Sequence, residues 1–372
     1  MNTKSKFALS AGIFIAVFLS TQYGDNTIPF LNLIADNNNN GLSSQSRTLR
    51  IGYFPNLNHA QAVIGLQQDG DFQKILNINR NDTTTKDVKV ESYVFNAGPS
   101  AIEALFGGQI DVAYVGPNPA INGYLASNGQ GLRVISGAAS GGASFVIRND
   151  SGIKSVNDLG GKKFASPQLG NTQDVSLRKY LVDNGFNTVD NGGNVTVVPV
   201  TPADILTLML KNEIDGAWVP EPWATRLVKE ANGRIFVDER ELWPDGKFVT
   251  ANIIARTDYL NKNPDIVKQF LQAHINKTIW INENKDQEVI TAFNGALKKI
   301  TGKTIPDDEI RDALSRLEFT FDPVEESLFT IADNAYELGY LDDGRSKSDL
   351  SNIFDLTILN DILAGMGEKE RK

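Results

Sequence analysis

Short apolar runs alternate with amphipathic helical patterns along most of this chain. Residues 49–54 form an apolar, β-prone run that Pro55 ends, and a helical pattern follows at residues 59–68. A second unit of the same kind has a strand at residues 88–95 and a helix at residues 98–106. The first half continues with predicted strands at residues 110–115, 132–136 and 144–148 and a predicted helix at residues 117–127. This alternation predicts an α/β lobe with a mainly parallel sheet.

The second half repeats the pattern and then becomes helical. It has predicted strands at residues 163–165, 195–198, 216–219 and 248–256 and predicted helices at residues 172–184, 202–210 and 223–229. From Asp258 onward the pattern is almost wholly helical. Within residues 265–283 the apolar positions form one stripe, and His274 lies on it. We therefore expect His274 to pack in the core and not to bind a ligand.

The length and composition of the chain fit two lobes, each with its own core. The chain has 372 residues, of which 41% are hydrophobic and 22% charged. A single core seldom grows beyond about 250–300 residues, so two lobes of roughly 100–150 residues each are expected.

The first residues predict export from the cytoplasm. Lys4 and Lys6 precede an apolar run at residues 7–19, which is the pattern of a secretory signal. No clear cleavage site follows, so residues 1–24 are interpreted as a signal peptide or as an uncleaved N-terminal membrane anchor. Residues 25–47 are interpreted as a polar linker, because residues 36–46 are rich in Asn, Gly, Ser and Gln. The expected location is extracytoplasmic.

Charge and residue counts exclude several classes of function. The formal net charge is -9 and no basic block interrupts it, which argues against nucleic acid as a partner. The chain has no cysteine, so disulfides, thiolate metal sites and cysteine nucleophiles are excluded. Its two histidines are His59 and His274, which leaves little material for acid-base or zinc chemistry. We predict no catalytic site, no cofactor and no metal site.

Five loops at the carboxyl ends of predicted strands lead into predicted helices and are candidates for the ligand site. In open α/β sheets ligands bind at the carboxyl ends of the strands, where helix N-termini point. Each helix start offers unpaired N–H groups and a positive dipole end, worth roughly 0.3–1 kcal/mol to an anion. Taken singly, each loop is also explained as ordinary turn chemistry. The five loops are residues 56–59, 97–100, 116–119, 169–172 and 220–223.

The order and spacing of several short stretches add a family resemblance over residues 51–230. The stretches are Ile51-Gly52-Tyr53-Phe54-Pro55, Gly98-Pro99-Ser100 with Ala104-Leu105 and residues 108–111, Val115-Gly116, Asp158-Leu159, Gly161-Lys162-Lys163, Gly170-Asn171-Thr172 and Asp215-Gly216-Ala217-Trp218. In these stretches the chain resembles the family of substrate-binding proteins of nitrate, sulfonate and taurine importers.

The resemblance implies an α/β fold of the type II periplasmic-binding-protein (Venus-flytrap) class. Each of its two lobes would be a mainly parallel sheet flanked by helices, and the lobes would close on the ligand. The chain would end in a helical C-terminal tail. The matching boundaries are lobe one at residues 48–143 plus 257–372 and lobe two at residues 144–256, including crossover strands at 144–148 and 248–256. The implied partners are a small anionic solute and an ABC permease with its ATPase subunit, and the expected state is a monomer. The chain lacks a phosphate-binding G-x-x-x-x-G-K-[ST] motif of its own.

The resemblance also implies a set of ligand-binding positions. For the aromatic residues among them, packing in the core is the alternative interpretation. The implied positions are Phe54, Asn58, His59, Gly98, Pro99, Ser100, Gly116, Pro117, Asn118, Ser140, Gly141, Gly142, Gln168, Gly170, Asn171, Thr172, Trp218, Glu221 and Trp223.

The motifs point to two different kinds of ligand. Ala97-Gly98-Pro99 is similar to the sulfonate and taurine binders, whereas Glu221-Pro222-Trp223 is similar to the nitrate and bicarbonate binders. We favour a sulfonate or taurine type because most of the helix starts belong to lobe one. A nitrate or bicarbonate binder and a ligand-sensing domain are the alternatives, and an enzyme is not expected.

Glu221 carries two interpretations. It lies between Pro220 and Pro222 at the start of a predicted helix, where an acid serves as a cap and dipole partner. Alternatively it faces the cleft and pairs with a ligand amine or a bound cation, because an unpaired buried carboxylate beside an anion is costly.

Overall fold

The computed structural model describes residues 47–67, 70–78, 88–284, 287–341 and 350–371. The predicted signal peptide or anchor at residues 1–24 lies outside these described residues, as does the predicted linker except for Arg47. Arg47 already belongs to the first strand, so the linker prediction was wrong at that residue. No helix in the described part of the chain is both long and apolar enough to cross a membrane.

The described strands and helices follow the predicted alternation. The strands are β1 (Arg47–Tyr53), β2 (Val88–Val94), β3 (Val112–Val115), β4 (Leu132–Gly141), β5 (Ala143–Arg148), β6 (Lys163–Ser166), β7 (Thr196–Pro199), β8 (Gly216–Pro220), β9 (Gly233–Asp238), β10 (Val249–Arg256) and β11 (Leu317–Phe319). The helices are α1 (Ala60–Gln67), α2 (Asp71–Ile78), α3 (Gly98–Phe106), α4 (Pro117–Ala126), α5 (Thr172–Asp183), α6 (Pro202–Leu210), α7 (Trp223–Glu230), α8 (Thr257–Lys262), α9 (Pro264–Glu283), α10 (Gln287–Thr301), α11 (Asp307–Leu314), α12 (Glu325–Glu337) and α13 (Thr357–Gly365).

The strands form two sheets, each at the centre of one lobe. The first sheet has the order β11-β4-β10-β3-β1-β2 and the second has the order β7-β6-β8-β5-β9. Helices α5, α6 and α7 pack on the second sheet, whereas the cores on the first sheet include residues of α1 to α4 and α8 to α13. We call these the first lobe and the second lobe.

Both sheets are mixed and not mainly parallel as predicted. Strands β2 and β3 pair parallel to β1, and β7 and β8 pair parallel to β6. The antiparallel pairs are β10 with β3 and β4, β11 with β4, and β5 with β8 and β9. Strands β5 and β10 each enter their sheet from the other lobe, not through the crossover helix that joins parallel neighbours, and both run antiparallel to the strands beside them.

Strand β10 belongs to the first sheet. Asn252 in β10 pairs with Val115 of β3 and with Gly137 of β4. The sequence analysis assigned this strand to lobe two, so that assignment was wrong for residues 249–256. It also missed α2 and β9, and its almost wholly helical tail contains the three-residue edge strand β11, which is too short to produce a periodic pattern.

The first sheet is covered on both faces, which explains its continuous apolar runs. Val112 and Tyr114 lie in the core shared with α1, α9 and α10. Ala113 and Val115, which point the other way, lie in the core shared with α3, α4 and α12. In the second sheet Phe145 likewise faces α5, whereas Val146, the next residue in β5, faces α6 and α7.

His274 of α9 packs in the first lobe, as predicted. The residue is fully buried, and its Nε2 lies 3.0 Å from the carbonyl oxygen of Gly137. Since Nε2 must donate to that carbonyl, Nδ1 accepts the hydrogen bond from the Tyr114 hydroxyl at 2.9 Å. Burial lowers the pKa of His274 to about 3, so the imidazole is neutral in the folded protein.

This burial predicts a loss of stability in mild acid. The pKa of a histidine in the unfolded chain is about 6.5, so the contribution of His274 is complete above that pH and decreases as the pH falls toward 3. Between about pH 7.5 and about pH 5 the loss is roughly 2 kcal/mol. Urea denaturation of the wild type and of His274→Gln at both values should show that the variant lacks this part of the pH dependence. Equal pH dependence in the two proteins would contradict the burial argument.

Candidate ligand-binding site

A cavity of about 40 Å³ lies between the two lobes. Its lining comes mainly from loops at the carboxyl ends of β1, β2 and β3 in the first lobe and of β6, β7 and β8 in the second. This is the edge at which open α/β sheets bind ligands. The described lining residues are Phe54, Asn56, Asn58, His59, Asn96, Ala97, Gly98, Gly116, Pro119 and Thr250 from the first lobe and Pro167, Asn171, Thr172, Gln173, Pro202 and Pro220 from the second.

Two helix starts at the cavity keep their backbone donors free of side-chain caps. Helix α3 follows Ala97 and helix α4 follows Gly116, and neither N-cap residue accepts a hydrogen bond from its first turn. Helix α5 differs, because the Asn171 side chain accepts from the backbone N–H of Asp174 at 3.0 Å. Because Pro99, Pro117 and Pro119 have no N–H, the backbone donors in these first turns are those of Gly98, Ser100 and Asn118. These donors and the positive dipole ends of α3 and α4 are available to an anion.

The cavity lining carries no formal charge. None of its described residues is an aspartate, glutamate, lysine or arginine. Its polar groups are the amides of asparagine and glutamine, threonine hydroxyls and one imidazole. An anion in this cavity would be held by dipoles and hydrogen bonds, without a neutralising side-chain cation.

His59 contributes a neutral donor. It is 2% exposed, its ring stacks on Phe54 at 4.5 Å, and its Nδ1 accepts from the backbone N–H of Phe54 at 3.1 Å. Burial lowers the pKa of His59 to about 3. The neutral ring therefore carries its proton on Nε2 and can donate a hydrogen bond, but it does not add positive charge.

Three buried polar atoms of the lining lack a hydrogen-bond partner among the described residues. They are the Oδ1 atoms of Asn56 and Asn58 and the Oγ1 atom of Thr172. The orientation of the Asn58 amide is fixed, because its Nδ2 donates to Thr250 Oγ1 at 2.9 Å and to the Gly141 carbonyl at 3.2 Å. A buried unpaired polar atom costs about 1–3 kcal/mol, so a ligand that pairs with these atoms gains that much.

The two lobes meet at a glycine. An ideal Cβ atom built on Gly116 would lie 2.4 Å from Thr172 Oγ1, closer than real Cβ contacts. The φ angle of Gly116 is -67°, which any residue adopts. Space is therefore the reason for glycine here, and a side chain would hold the starts of α4 and α5 apart.

The structure brings part of the predicted site together. The predicted residues that line the cavity are Phe54, Asn58, His59, Gly98, Gly116, Asn171 and Thr172. Pro99, Ser100, Pro117 and Asn118 lie in the first turns of α3 and α4 but outside this lining, and Gln168 and Gly170 lie in the loop before α5. Ser140 and Gly141 line a second, more open cavity of about 500 Å³, and Gly142 joins β4 to β5.

Several lining residues were not predicted. Asn96, Gln173 and Pro202 lie at helix starts or just before them, so the same local signal could have found them. Thr250 reaches the cavity because β10 runs between β3 and β4, which no local pattern reveals. Asn56, Ala97, Pro119 and Pro220 lie in loops that were predicted to face the ligand but were not among the predicted binding positions, and Pro167 was not predicted.

Trp218 and Trp223 pack elsewhere, in line with the alternative interpretation for aromatics. Trp218 is fully buried, stacks on Phe145 at 5.4 Å and donates from Nε1 to Glu239 Oε2 at 2.6 Å. Burial raises the pKa of Glu239 to about 7. Trp223 is half-buried beneath the guanidinium of Arg226, at 4.6 Å from the ring centre. Neither tryptophan lines the cavity.

Glu221 is a helix cap and one half of an ion pair between the lobes. It is fully buried, and its Oε2 accepts from the Thr225 backbone N–H in the first turn of α7 at 3.1 Å. Its Oε1 accepts from Arg316 of the first lobe, also at 3.1 Å. Burial raises the pKa of Glu221, while Arg316 and Thr225 oppose that rise. The cation that balances this carboxylate is therefore part of the protein, and Glu221 does not line the cavity.

Comparisons with known proteins agree with this geometry. The sequence model of the NMT1-like family matches residues 43–293. A putative binding protein of Brucella abortus (strain 2308) is 28% identical over 54% of this chain, and the match spans 60% of that relative's own length. The taurine-binding periplasmic protein of Escherichia coli (strain K12) is 24% identical over 63% of this chain and 74% of the relative.

Solved structures share the fold. The alkanesulfonate-binding protein SsuA from Xanthomonas axonopodis pv. citri, bound to MOPS, has a TM-score of 0.64 at 18% identity and covers 81% of this chain and 96% of its own. The periplasmic nitrate-binding protein NrtA from Synechocystis PCC 6803 has a TM-score of 0.67 at 16% identity and covers 87% of this chain and 89% of its own. The predicted two-lobed type II binding-protein fold is confirmed.

The contact at Gly116 predicts a variant that cannot close fully. Gly116→Ala places a methyl group against Thr172, and overpacking of this kind costs about 1–3 kcal/mol. We expect a larger radius of gyration by small-angle X-ray scattering and a tenfold to hundredfold weaker ligand affinity. Gly116→Ala/Thr172→Ala should restore the compact shape, because the obstructing Oγ1 is removed. Gly295→Ala is the control, since a Cβ there meets nothing within 4 Å. A compact Gly116→Ala variant would show that the lobes do not press together here.

Proposed function

Because this chain belongs to the NMT1-like family, we propose that it is the extracytoplasmic solute-binding protein of an ABC importer. It would bind a small anion of the sulfonate or taurine type between its lobes and deliver it to a permease. The observation that carries this proposal is the uncharged cavity between the lobes, into which two helices present uncapped N-termini.

The chemistry of the lining supports an anionic group on the ligand. Each helix N-terminus favours negative charge by roughly 0.3–1 kcal/mol, and by up to about 2 kcal/mol in partly buried geometries. The Nε2 proton of His59 and the Thr172 hydroxyl are further neutral donors. Several donors from different directions match the three oxygens of a sulfonate. The lack of described acidic residues in the lining removes repulsion that the overall charge of -9 would otherwise suggest.

The lining also supports a donor on the same ligand. Asn58 cannot turn its amide without losing the bonds of Nδ2 to Thr250 and Gly141, so its Oδ1 remains an acceptor. Asn56 Oδ1 is a second unpartnered acceptor. A molecule with a sulfonate end and an amine or hydroxyl end, such as taurine, pairs with both kinds of group.

A nitrate or bicarbonate ligand is the second candidate, and the size of the cavity favours it. One water needs roughly 10–15 Å³ of cavity by this measure, so about 40 Å³ suits only a few heavy atoms. A planar four-atom anion fits this space as it stands. A taurine-sized ligand requires the lobes to separate slightly from the arrangement described above.

Binding is better supported than catalysis. Among the described lining residues His59 has the only ionisable side chain, and its pKa of about 3 makes it a poor general base at neutral pH. The predicted export signal and the periplasmic location named for the Escherichia coli relative support the extracytoplasmic assignment. The partners we propose are an ABC permease and its ATPase subunit, with the binding protein acting as a monomer.

A ligand panel tests the proposal directly. We expect taurine or a related sulfonate to raise the melting temperature by a few degrees, because ligand at 100 times a micromolar Kd stabilises by about 2.7 kcal/mol. The panel contains taurine, isethionate, ethanesulfonate, nitrate, bicarbonate, a neutral diol and a cationic diamine. A shift with nitrate or bicarbonate alone would select the second candidate. A shift with only the neutral or cationic compound would refute anion binding.

A single added charge provides an independent test. Gln173→Glu places a carboxylate in the cavity at the first turn of α5, where an acid does not disfavour the helix. Repulsion of about 2–3 kcal/mol should weaken anion binding roughly 30- to 150-fold in calorimetric titration. Gln109→Glu adds the same charge at an exposed position outside the cavity and should bind normally. Unchanged affinity in a folded Gln173→Glu variant would exclude this cavity as the anion site.

A further inference from the structure

Asp174 organises the loop of the second lobe that lines the cavity. It lies in the first turn of α5, directly after the lining residues Thr172 and Gln173, and is fully buried. Its carboxylate accepts from Ser166 Oγ at 2.6 Å, from the Gly170 backbone N–H at 3.0 Å and from Arg178 Nε at 3.1 Å. These three donors all belong to the second lobe, so they fix the carboxylate and the loop independently of the first lobe.

A fourth donor reaches Asp174 from the first lobe. The hydroxyl of Tyr340 donates to Asp174 Oδ2 at 2.9 Å. Tyr340 is held at the end of α12, where its backbone N–H donates to the Ala335 carbonyl at 2.9 Å. Gly339 precedes it with a φ angle of 75°, the left-handed conformation that ends the helix. Helix α12 is anchored by Leu328 and its neighbours in the core of the first lobe.

We propose that Tyr340 is a positioning residue for solute capture, which latches the two lobes in the closed arrangement through Asp174. This inference rests on the proposed function, since it deepens how that same site is regulated. Tyr340 does not line the cavity, so it acts on the ligand only through the loop that Asp174 holds.

The environment of Asp174 makes this bond easy to break and to form again. When the lobes separate, Asp174 loses Tyr340 but keeps its donors from Ser166, Gly170 and Arg178. No buried charge is left unpaired, so opening does not carry the large penalty of a broken buried ion pair. A bond with these properties shifts the balance between open and closed forms and does not hold the fold together.

Two neighbouring contacts between the lobes do not share these properties. Lys179 pairs with Glu337 at 3.2 Å, but the Glu337 side chain is 62% exposed, and exposed pairs contribute little. Glu221 pairs with Arg316, but the Glu221 backbone N–H also donates to the Gly142 carbonyl at 2.9 Å, at the junction of β4 and β5. That pair therefore adjoins a crossover between the lobes, and removing either partner would disturb the fold itself.

The latch predicts the same fractional loss of affinity for every ligand. Tyr340→Phe removes one hydrogen bond from the closed form, which corresponds to a roughly 2- to 10-fold weaker affinity. The loss should appear as faster dissociation, because the variant destabilises the closed complex. The ratios of affinities among taurine, ethanesulfonate and nitrate should stay as in the wild type, since the hydroxyl touches no ligand.

Distance measurements between the lobes test the latch without relying on ligand identity. The chain has no cysteine, so Leu210→Cys in the second lobe and Lys262→Cys in the first can be labelled selectively for pulsed electron spin resonance. In the ligand-free full-length protein, Tyr340→Phe should shift the distance distribution toward the open form. Tyr336→Phe is the matched control on the same helix, because Tyr336 is 44% exposed.

The combined outcomes separate this inference from the function on which it rests. If no anion in the panel binds the wild type, the proposed ligand class fails while the distance measurement still decides the latch. Unchanged distances and affinities in Tyr340→Phe would overturn the latch, and so would a lower melting temperature with unchanged distances. A loss that differs among the three anions would overturn it as well, because Tyr340 would then act on the ligand directly.

Discussion

The organisation of this protein depends on unpaired backbone donors at helix starts. The first turn of any helix has N–H groups that the helix itself cannot satisfy. Here the carboxyl ends of the parallel strands in both sheets face one gap, so the starts of α3 and α4 converge on it. The gap can remain free of charged side chains because the backbone supplies the positive potential. Under the proposed function, this is how a protein with a net charge of -9 offers an anion a favourable site.

Buried acids are kept out of this gap by partners of their own. Asp174 accepts hydrogen bonds from donors of the second lobe and from Tyr340. Glu221 accepts from Thr225 and pairs with Arg316, and Glu239 accepts from the indole of Trp218. Each of these carboxylates is at most 2% exposed, and none of them lines the cavity. The acids therefore organise the walls of the cavity, and the neutral amides and hydroxyls are left to face its interior.

Local patterns in the sequence predicted most of the helices and strands. At the site they predicted residues in or next to the first turn of each helix. Gly98, Gly116 and Thr172 were found because glycine, proline and threonine mark a helix start within a few residues. Thr250 and the pairing of Glu221 with Arg316 were not found, because they bring together residues far apart in the chain. Trp218 shows the same limit, since a buried aromatic has the same local pattern whether it faces a core or a cavity.

Asn58 connects the proposed ligand site to the junction between the lobes. Its Nδ2 contacts the carbonyls of Gly141 and Gly142, which lie where the chain passes from one lobe to the other. If this is the solute site, a substitution that adapted position 58 to a new solute would also remove these hydrogen bonds at the junction between the lobes. Evolution toward another ligand is therefore constrained at Asn58 and more easily achieved at Gln173, whose backbone belongs to a helix within a single lobe.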